Sequence, residues 1–317
     1  MNVLVAGVRH PEPLVADLRS AFPTVTFSVA SGSEETLREI ADAEVVIGHL
    51  SREQFLAAGS LRWIQYPGAG VDWIFSIPEL LSSAVILTNT RGAQAATIAE
   101  HTFGMLIALA RGFPSLVRAQ QRHQWVRPLD RPAVGLSGLT LGIVGLGRIG
   151  LAIASRARAF EMTVIAVDPV TRETPPEVSE LRGPEGLPWL LAASDAVVVT
   201  APLTPLTRGL IGERELALMK PSAFLVHISR GGVVDEPALV RALGAGRLGG
   251  AGLDVQVQKP VPAESELWDT PNLFLTPHCS GESRQTDGAV SAVCRDNLGR
   301  WLAGSPLVNV VDKARGF

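Results

Sequence analysis

Short apolar runs alternate along the chain with stretches in which apolar positions recur every three or four residues, the rhythm of strands followed by helices. The spacing predicts strand 3–6, helix 13–21, strand 24–29, helix 34–41, strand 45–47, helix 52–57 and strand 63–66, then a glycine turn. A long helical stretch runs from Ala95 past Arg118, with Pro114 set to kink or divide it. Strands 139–144, 163–167, 196–200, 223–229, 250–254 and 273–276 follow, and then a helix over 285–302. Such alternation implies parallel α/β architecture. The first block is a small doubly wound domain. Residues 308–311 are too few for a domain of their own and are expected to fold back onto it, making it discontinuous.

Composition narrows the picture. At 317 residues, 46% hydrophobic and 19% charged, the chain can bury a substantial core, and its length suggests two domains. A net charge of −3 without a basic block argues against nucleic acid or an anionic membrane as the main partner. The first seven residues carry no basic segment and read as a strand, not a signal peptide. The most apolar helical stretch, 103–110, lies between His101 and Arg111 and is too short to span a bilayer. The two cysteines, Cys279 and Cys294, lack metal-ligand spacing; they fit a reducing cytoplasm, with neither disulfide nor metal site.

The chemistry begins at Gly145-Leu-Gly-Arg-Ile-Gly150, which follows an apolar strand and opens a helical pattern. Gly145 permits a tight turn, Gly147 leaves bare backbone for a pyrophosphate, and Gly150 lets helix and strand pack closely. The helix N-terminus then directs N–H groups at phosphate. A second strand ends in Asp168, eighteen residues after Gly150, where a carboxylate holds ribose hydroxyls. That acid favours NAD; Arg172, four residues on, leaves NADP open.

Other strands also stop at polar residues: Thr200-Ala-Pro-Leu-Thr204, Ser229-Arg230-Gly231-Gly232, Asp254 and His278. In open parallel sheets such ends face the ligand crevice. Arg230 suits a carboxylate, because its guanidinium fork matches two oxygens. His278 is the acid/base candidate. His10, His49, His101, His123 and His227 lack comparable context and read mostly as structural or solvated.

Taken together, Gly145-Leu-Gly-Arg-Ile-Gly150, His227-Ile-Ser-Arg-Gly-Gly-Val-Val-Asp235, Gly252-Leu-Asp-Val255 and Leu275-Thr-Pro-His-Cys-Ser-Gly281 resemble the D-isomer-specific 2-hydroxyacid dehydrogenases. Pro67-Gly-Ala-Gly-Val-Asp72 and Ala99-Glu-His101 also fit, and the chain is similar to short members without a C-terminal regulatory domain. The resemblance implies a Rossmann NAD-binding domain, residues 95–281, inserted into a discontinuous flavodoxin-like substrate domain, residues 1–94 and 282–317. It further implies a closing cleft, a homodimer, and interconversion of a small 2-keto acid, of glyoxylate or hydroxypyruvate size, with its D-2-hydroxy acid. By resemblance, Arg230 holds the substrate carboxylate, the amides of Ala69 and Gly70 bind its other oxygen, and His278 is the acid/base. Arg148 and Ile149 meet the pyrophosphate, Asp254 the nicotinamide carboxamide and Gly281 the ring. Thr200, Pro202, Thr207, Ile228 and Ser229 complete the implied cofactor contacts, with His278 itself beside the nicotinamide.

One position departs from the pattern. The glutamate that the family places five residues after the aspartate of Gly-Leu-Asp-Val, to hold the histidine in its protonated form, is Lys259 here. A nearby ammonium disfavours an imidazolium, so reduction is expected to require a more acidic medium. Three outcomes stand open: Lys259 turns to solvent and His278 remains a weaker acid, Glu264 or Glu266 substitutes, or the protein binds NAD and catalyses poorly. The last supports an alternative function as a catalytically weak NAD(H)-binding sensor or interaction protein of the same fold.

Overall fold

The computed structural model describes residues 1–8, 10–127, 132–171 and 173–316, in two compact units. The first comprises 1–94 and 283–317, the second 95–282.

In the first unit, strands β1 (Asn2–Ala6), β2 (Thr26–Ala30), β3 (Val45–Gly48), β4 (Trp63–Gln65) and β5 (Ile86–Thr88) form a parallel sheet in the order β2-β1-β3-β4-β5. Helices α1 (Glu12–Ala21), α2 (Ser33–Glu39), α3 (Arg52–Ala57) and α4 (Pro78–Ser82) connect its strands. Alternate residues of β1 enter opposite cores. Val3 and Val5 pack with Trp63 and Leu298, while Leu4 and Ala6 pack with Ile64 and Leu80. A strand covered on both faces needs apolar residues at every position, which is why it reads as an unbroken run.

The helix Arg284–Leu302 belongs to this unit despite its distance in sequence. Trp301 stacks on Trp63 with centroids 5.3 Å apart. Fully buried Asn297 donates to Gln65 Oε1 at 2.8 Å and exchanges hydrogen bonds with both backbone groups of Val308. Val310 then bridges Thr88 in antiparallel sense, the expected return to the first sheet. Lys313 Nζ donates to the carbonyls of Leu80, Ser83 and Val85.

The second unit opens with α5 (Ala95–Ala110) and α6 (Phe113–Gln121). The predicted single stretch is divided at Gly112, whose φ of 67° is left-handed, and Pro114 sits in the first turn of α6, where its missing N–H is harmless. A parallel sheet follows, built from β6 (Thr140–Val144), β7 (Thr163–Val167), β8 (Glu180–Arg182), β9 (Ala196–Val199), β10 (Phe224–His227), β11 (Gly250–Leu253) and β12 (Leu273–Leu275). Its order is β12-β11-β10-β9-β6-β7-β8. Helices α7 (Arg148–Ala159), α8 (Leu187–Ala193), α9 (Glu213–Leu218) and α10 (Glu236–Gly244) complete it, with α5 and α7 packed against each other. Strand order reverses between β6 and β9, so their adjacent carboxyl ends mark a topological switch point.

Candidate active site

The glycine loop leaves β6 at that switch point. Gly145 has φ 98°, and a Cβ there would stand 2.9 Å from the Ala201 amide nitrogen. A Cβ on Gly150 would stand 2.4 Å from the Gly145 carbonyl oxygen, so only glycine lets α7 begin this close to β6. Around Gly147, by contrast, nothing lies within 4 Å of the Cβ position. Gly147 is also the N-cap of α7 and brings no side-chain cap, and Arg148 and Ile149 open the helix. An open backbone facing an uncapped helix N-terminus fits a dinucleotide's diphosphate. Thr200, at the end of β9, donates to the carbonyls of Val144 and Gly145 and ties the two strand ends together. Beyond it Thr207 donates to the Pro202 carbonyl and accepts from the Thr204 amide, which shapes the loop.

Asp168 stands at the end of β7, as predicted, and is buried. Its Oδ2 accepts from the Leu146 amide at 2.7 Å, and its Oδ1 from the amides of Val170 and Thr171. Burial acts to raise its pKa, but these amides outweigh it and hold the carboxyl below its usual range. Asp168 therefore braces the glycine loop from inside while keeping its negative charge. Arg172 lies outside the described residues.

Adjacent strands β10, β11 and β12 end at the other candidates. Arg230 follows β10, half-buried, with Nη1 donating to the Ser229 carbonyl at 2.8 Å. Ile228 and Ser229 before it are buried, and Ser229 Oγ lies 3.1 Å from His227 Nε2. Burial depresses the His227 pKa to about 3, so this imidazole is neutral at ordinary pH. Gly231 passes so close to Gln256 that a Cβ would stand 2.2 Å from its carbonyl oxygen, which fixes the loops after β10 and β11 against one another.

Asp254 follows β11 and is wholly buried. Its Oδ1 accepts from Thr276 Oγ1 at 2.6 Å and the Cys279 amide at 3.0 Å, and its Oδ2 from the Ser280 amide at 3.0 Å. Burial opposes ionisation, but these donors prevail and lower its pKa. Since Thr276 spends its one proton on the carboxylate, His101 Nε2, 3.1 Å from the same hydroxyl, must be the donor there. His101, on α5, is thus a structured member of the cluster. Its only cue in sequence is Ala99-Glu-His101. Thr276 and Ser280 were also missed, although both lie in the Leu-Thr-Pro-His-Cys-Ser-Gly run. Gly281 lies in the turn beyond, where the Glu282 amide donates to the Cys279 carbonyl.

His101, Asp254 and Cys279 bring potential ligand atoms within 4.8 Å of one another. The aspartate is already engaged by three donors, and burial and the neighbouring Asp254 charge raise the Cys279 thiol pKa. A protonated thiol beside a saturated carboxylate is poor metal-binding chemistry.

His278 follows β12 in left-handed backbone, φ 56°. Lys259 Nζ lies 2.8 Å from its Nδ1, and both side chains are exposed. The ammonium has therefore not turned away: the lysine occupies the very contact in which the glutamate was expected. Glu236, at the start of α10, accepts from the Val257 amide at 2.7 Å. Burial raises its pKa, while that amide and the charge of Lys259 oppose the rise.

Ala69 and Gly70 belong to the first unit, in the loop after β4, where the Ala69 carbonyl accepts from Asn89 Nδ2 at 2.8 Å. Among the described residues no helix is long and apolar enough to cross a membrane.

Residues 103–280 match the family model of the D-isomer specific 2-hydroxyacid dehydrogenase NAD-binding domain. The chain is 34% identical over 293 residues to D-3-phosphoglycerate dehydrogenase of Methanocaldococcus jannaschii, a match covering 90% of this chain and 55% of that protein. It is 35% identical over 286 residues to glyoxylate reductase of Korarchaeum cryptofilum, covering 87% of this chain and 85% of the relative. Among solved structures, an NADPH-dependent glyoxylate/hydroxypyruvate reductase from Sinorhizobium meliloti, in complex with NADP and sulfate, superposes with a TM-score of 0.87. It is 27% identical, over 100% of this chain and 99% of that one.

Proposed function

Because this chain belongs to the D-isomer-specific 2-hydroxyacid dehydrogenase family, we propose that it interconverts a small 2-keto acid and the D-2-hydroxy acid by hydride transfer with a nicotinamide dinucleotide. One observation carries the reading: Arg230, Asp254 and His278 leave the carboxyl ends of three neighbouring strands of one sheet. A bound NAD(H) supplies or accepts the hydride. Arg230 pairs with the substrate carboxylate and polarises the keto group, and His278 exchanges a proton with the substrate oxygen. Charge that develops on that oxygen meets a fixed cation and a proton donor. Buried Asp254 holds the β12 loop by its Cys279 and Ser280 amides, and so sets where His278 starts.

The charge of Asp168 would repel a 2′-phosphate, which supports NAD over NADP. Comparing NADH and NADPH affinities tests this preference. We take the working form to be a cytoplasmic homodimer, which the sedimentation mass in solution and cell fractionation would check. The functional test is NADH and NADPH oxidation against a panel of 2-keto acids, with Arg230→Ala and His278→Ala as controls. Turnover by the parent and its loss in both variants is the expected result. The Lys259–His278 contact favours one competitor, a cofactor-binding protein that turns over poorly; tight NADH binding without turnover across the panel would select it.

A further inference from the structure

The Lys259–His278 contact has a consequence for where the reaction's proton is stored. Two basic nitrogens 2.8 Å apart share a hydrogen bond only if one of them carries the proton and the other offers a lone pair. Lysine is the stronger base by about four pH units. In the resting pair Nζ is therefore the ammonium donor, Nδ1 the acceptor, and the neutral imidazole carries its own proton on Nε2. The pair holds one positive charge, as an imidazolium would, but the mobile proton sits on the lysine.

We propose that Lys259 is the proton reservoir for reduction, delivering its proton through His278 by a switch of imidazole tautomer. This inference rests on the dehydrogenase reading above. The keto carbon gains a hydride, and its C–O π pair moves onto oxygen. Oxygen takes the proton from Nε2. The electrons of that N–H bond remain as the Nε2 lone pair, while Nδ1 takes a proton from Nζ. Lysine ends as a neutral amine and histidine as the Nδ1–H tautomer, ready to run in reverse for oxidation. The ring carries one N–H proton before and after the transfer and is never an imidazolium at rest, so the ammonium's opposition to an imidazolium no longer blocks the reaction.

Other titratable groups border the pair. Glu236 at the start of α10 and His227 at the end of β10 both feel the Lys259 charge. Asp254 closes β11 and Cys279 adjoins His278 on its loop, with His101 reaching the same cluster from α5, while Arg230 follows β10. His227 is neutral and Asp254 ionised at the pH values of interest, so neither changes state over the window tested.

The experiment has two arms. First, ¹⁵N NMR of the cofactor-free protein at pH 7–8 should show His278 with a bare Nδ1 and a protonated Nε2. In Lys259→Met that preference should relax toward the ordinary tautomer mixture. Second, pH–rate profiles of keto-acid reduction should separate the parent from Lys259→Met. A histidine titrating near 6.5 is only a few per cent imidazolium at pH 8, so the methionine variant should fall about 30-fold below the parent there. The two should converge near pH 5.5. Lys259→Glu, which restores a carboxylate partner, should recover reduction at pH 7. A protonated Nδ1 in the parent overturns the proposal. So do identical profiles, or a parent that loses reduction at lower pH than Lys259→Met, because the lysine would then merely suppress the imidazolium. A parent with the expected tautomer but no turnover on any keto acid sinks the dehydrogenase reading, and the relay with it; a wrong tautomer with turnover sinks the relay alone.

Discussion

Thr276 donates its hydroxyl proton to Asp254 at 2.6 Å and so obliges His101 to donate in turn. A strand end, a buried carboxylate and a helix are joined through one oxygen. Thr276→Val keeps the shape but removes that junction: His101 Nε2 loses the threonine oxygen and keeps only Asp254 Oδ1, 3.7 Å away, and Asp254 has one donor fewer. The expected cost is about 1–3 kcal/mol of stability, with weaker NADH binding. Thermal melts and NADH titration of the variant check it; an unchanged melting point and affinity would contradict the assignment.

The glycines of the loop after β6 have separable jobs. Gly150→Ala forces a methyl onto the Gly145 carbonyl and should destabilise the fold by about 1–3 kcal/mol. Gly147→Ala meets no protein atom within 4 Å and should melt like the parent. Its methyl instead takes the space expected for the diphosphate, so dinucleotide affinity should drop about tenfold or more. Melting curves paired with NADH binding distinguish the two effects.

Acid should weaken the protein in a window set by His227. Its folded-state pKa is about 3 against an ordinary value of 6.5, so between those values the unfolded chain binds a proton that the folded protein refuses. The stability from this neutral, buried imidazole is fully present above pH 6.5 and is lost as pH falls toward 3. It amounts to a few kcal/mol, on the order expected for a shift of that size. Asp168 and Asp254, held ionised by hydrogen bonds, act in the same sense at the lower end. Denaturant midpoints measured from pH 7 to 4 should decline, and His227→Asn should flatten the part of the slope above pH 5.

Lys313 closes a different seam. Its ammonium donates to three carbonyls, those of Leu80, Ser83 and Val85, and so satisfies the turn between α4 and β5. Lys313→Met should cost the first unit about 1–3 kcal/mol while leaving NADH affinity within twofold of the parent. Calorimetry with a binding titration on the same sample tests the pairing.

The sheets were legible in sequence wherever the buried run of a strand was apolar, as in β1 after Asn2, β6 after Thr140 and the whole of β9, because burial on both faces disfavours polar residues. β5 and β8 were not: three residues each, with Glu180 and Arg182 making β8 a half-polar edge. The glycine loop, Asp168, Arg230 and His278 announced themselves because strand ends with special residues are rare and local. His101 did not, since its partners Thr276 and Asp254 both lie more than 150 positions away. The identity of Lys259 was plain, but whether its ammonium met the imidazole depended on loop geometry that no periodicity encodes. The division at Gly112 was half-read: Pro114 pointed to a break, while the left-handed residue two places earlier makes it.

The first sheet is finished by residues from both ends of the chain, with Asn297 and Val310 reaching strands laid down more than 200 positions before them. On the ribosome, the earliest strands must therefore wait for their C-terminal partners, while residues 95–282 emerge as one unbroken stretch that forms a compact unit. The unit synthesised second is thus free to settle first. A nascent chain halted after residue 282 should protect the inserted unit from protease and leave the opening ninety-odd residues open to cleavage.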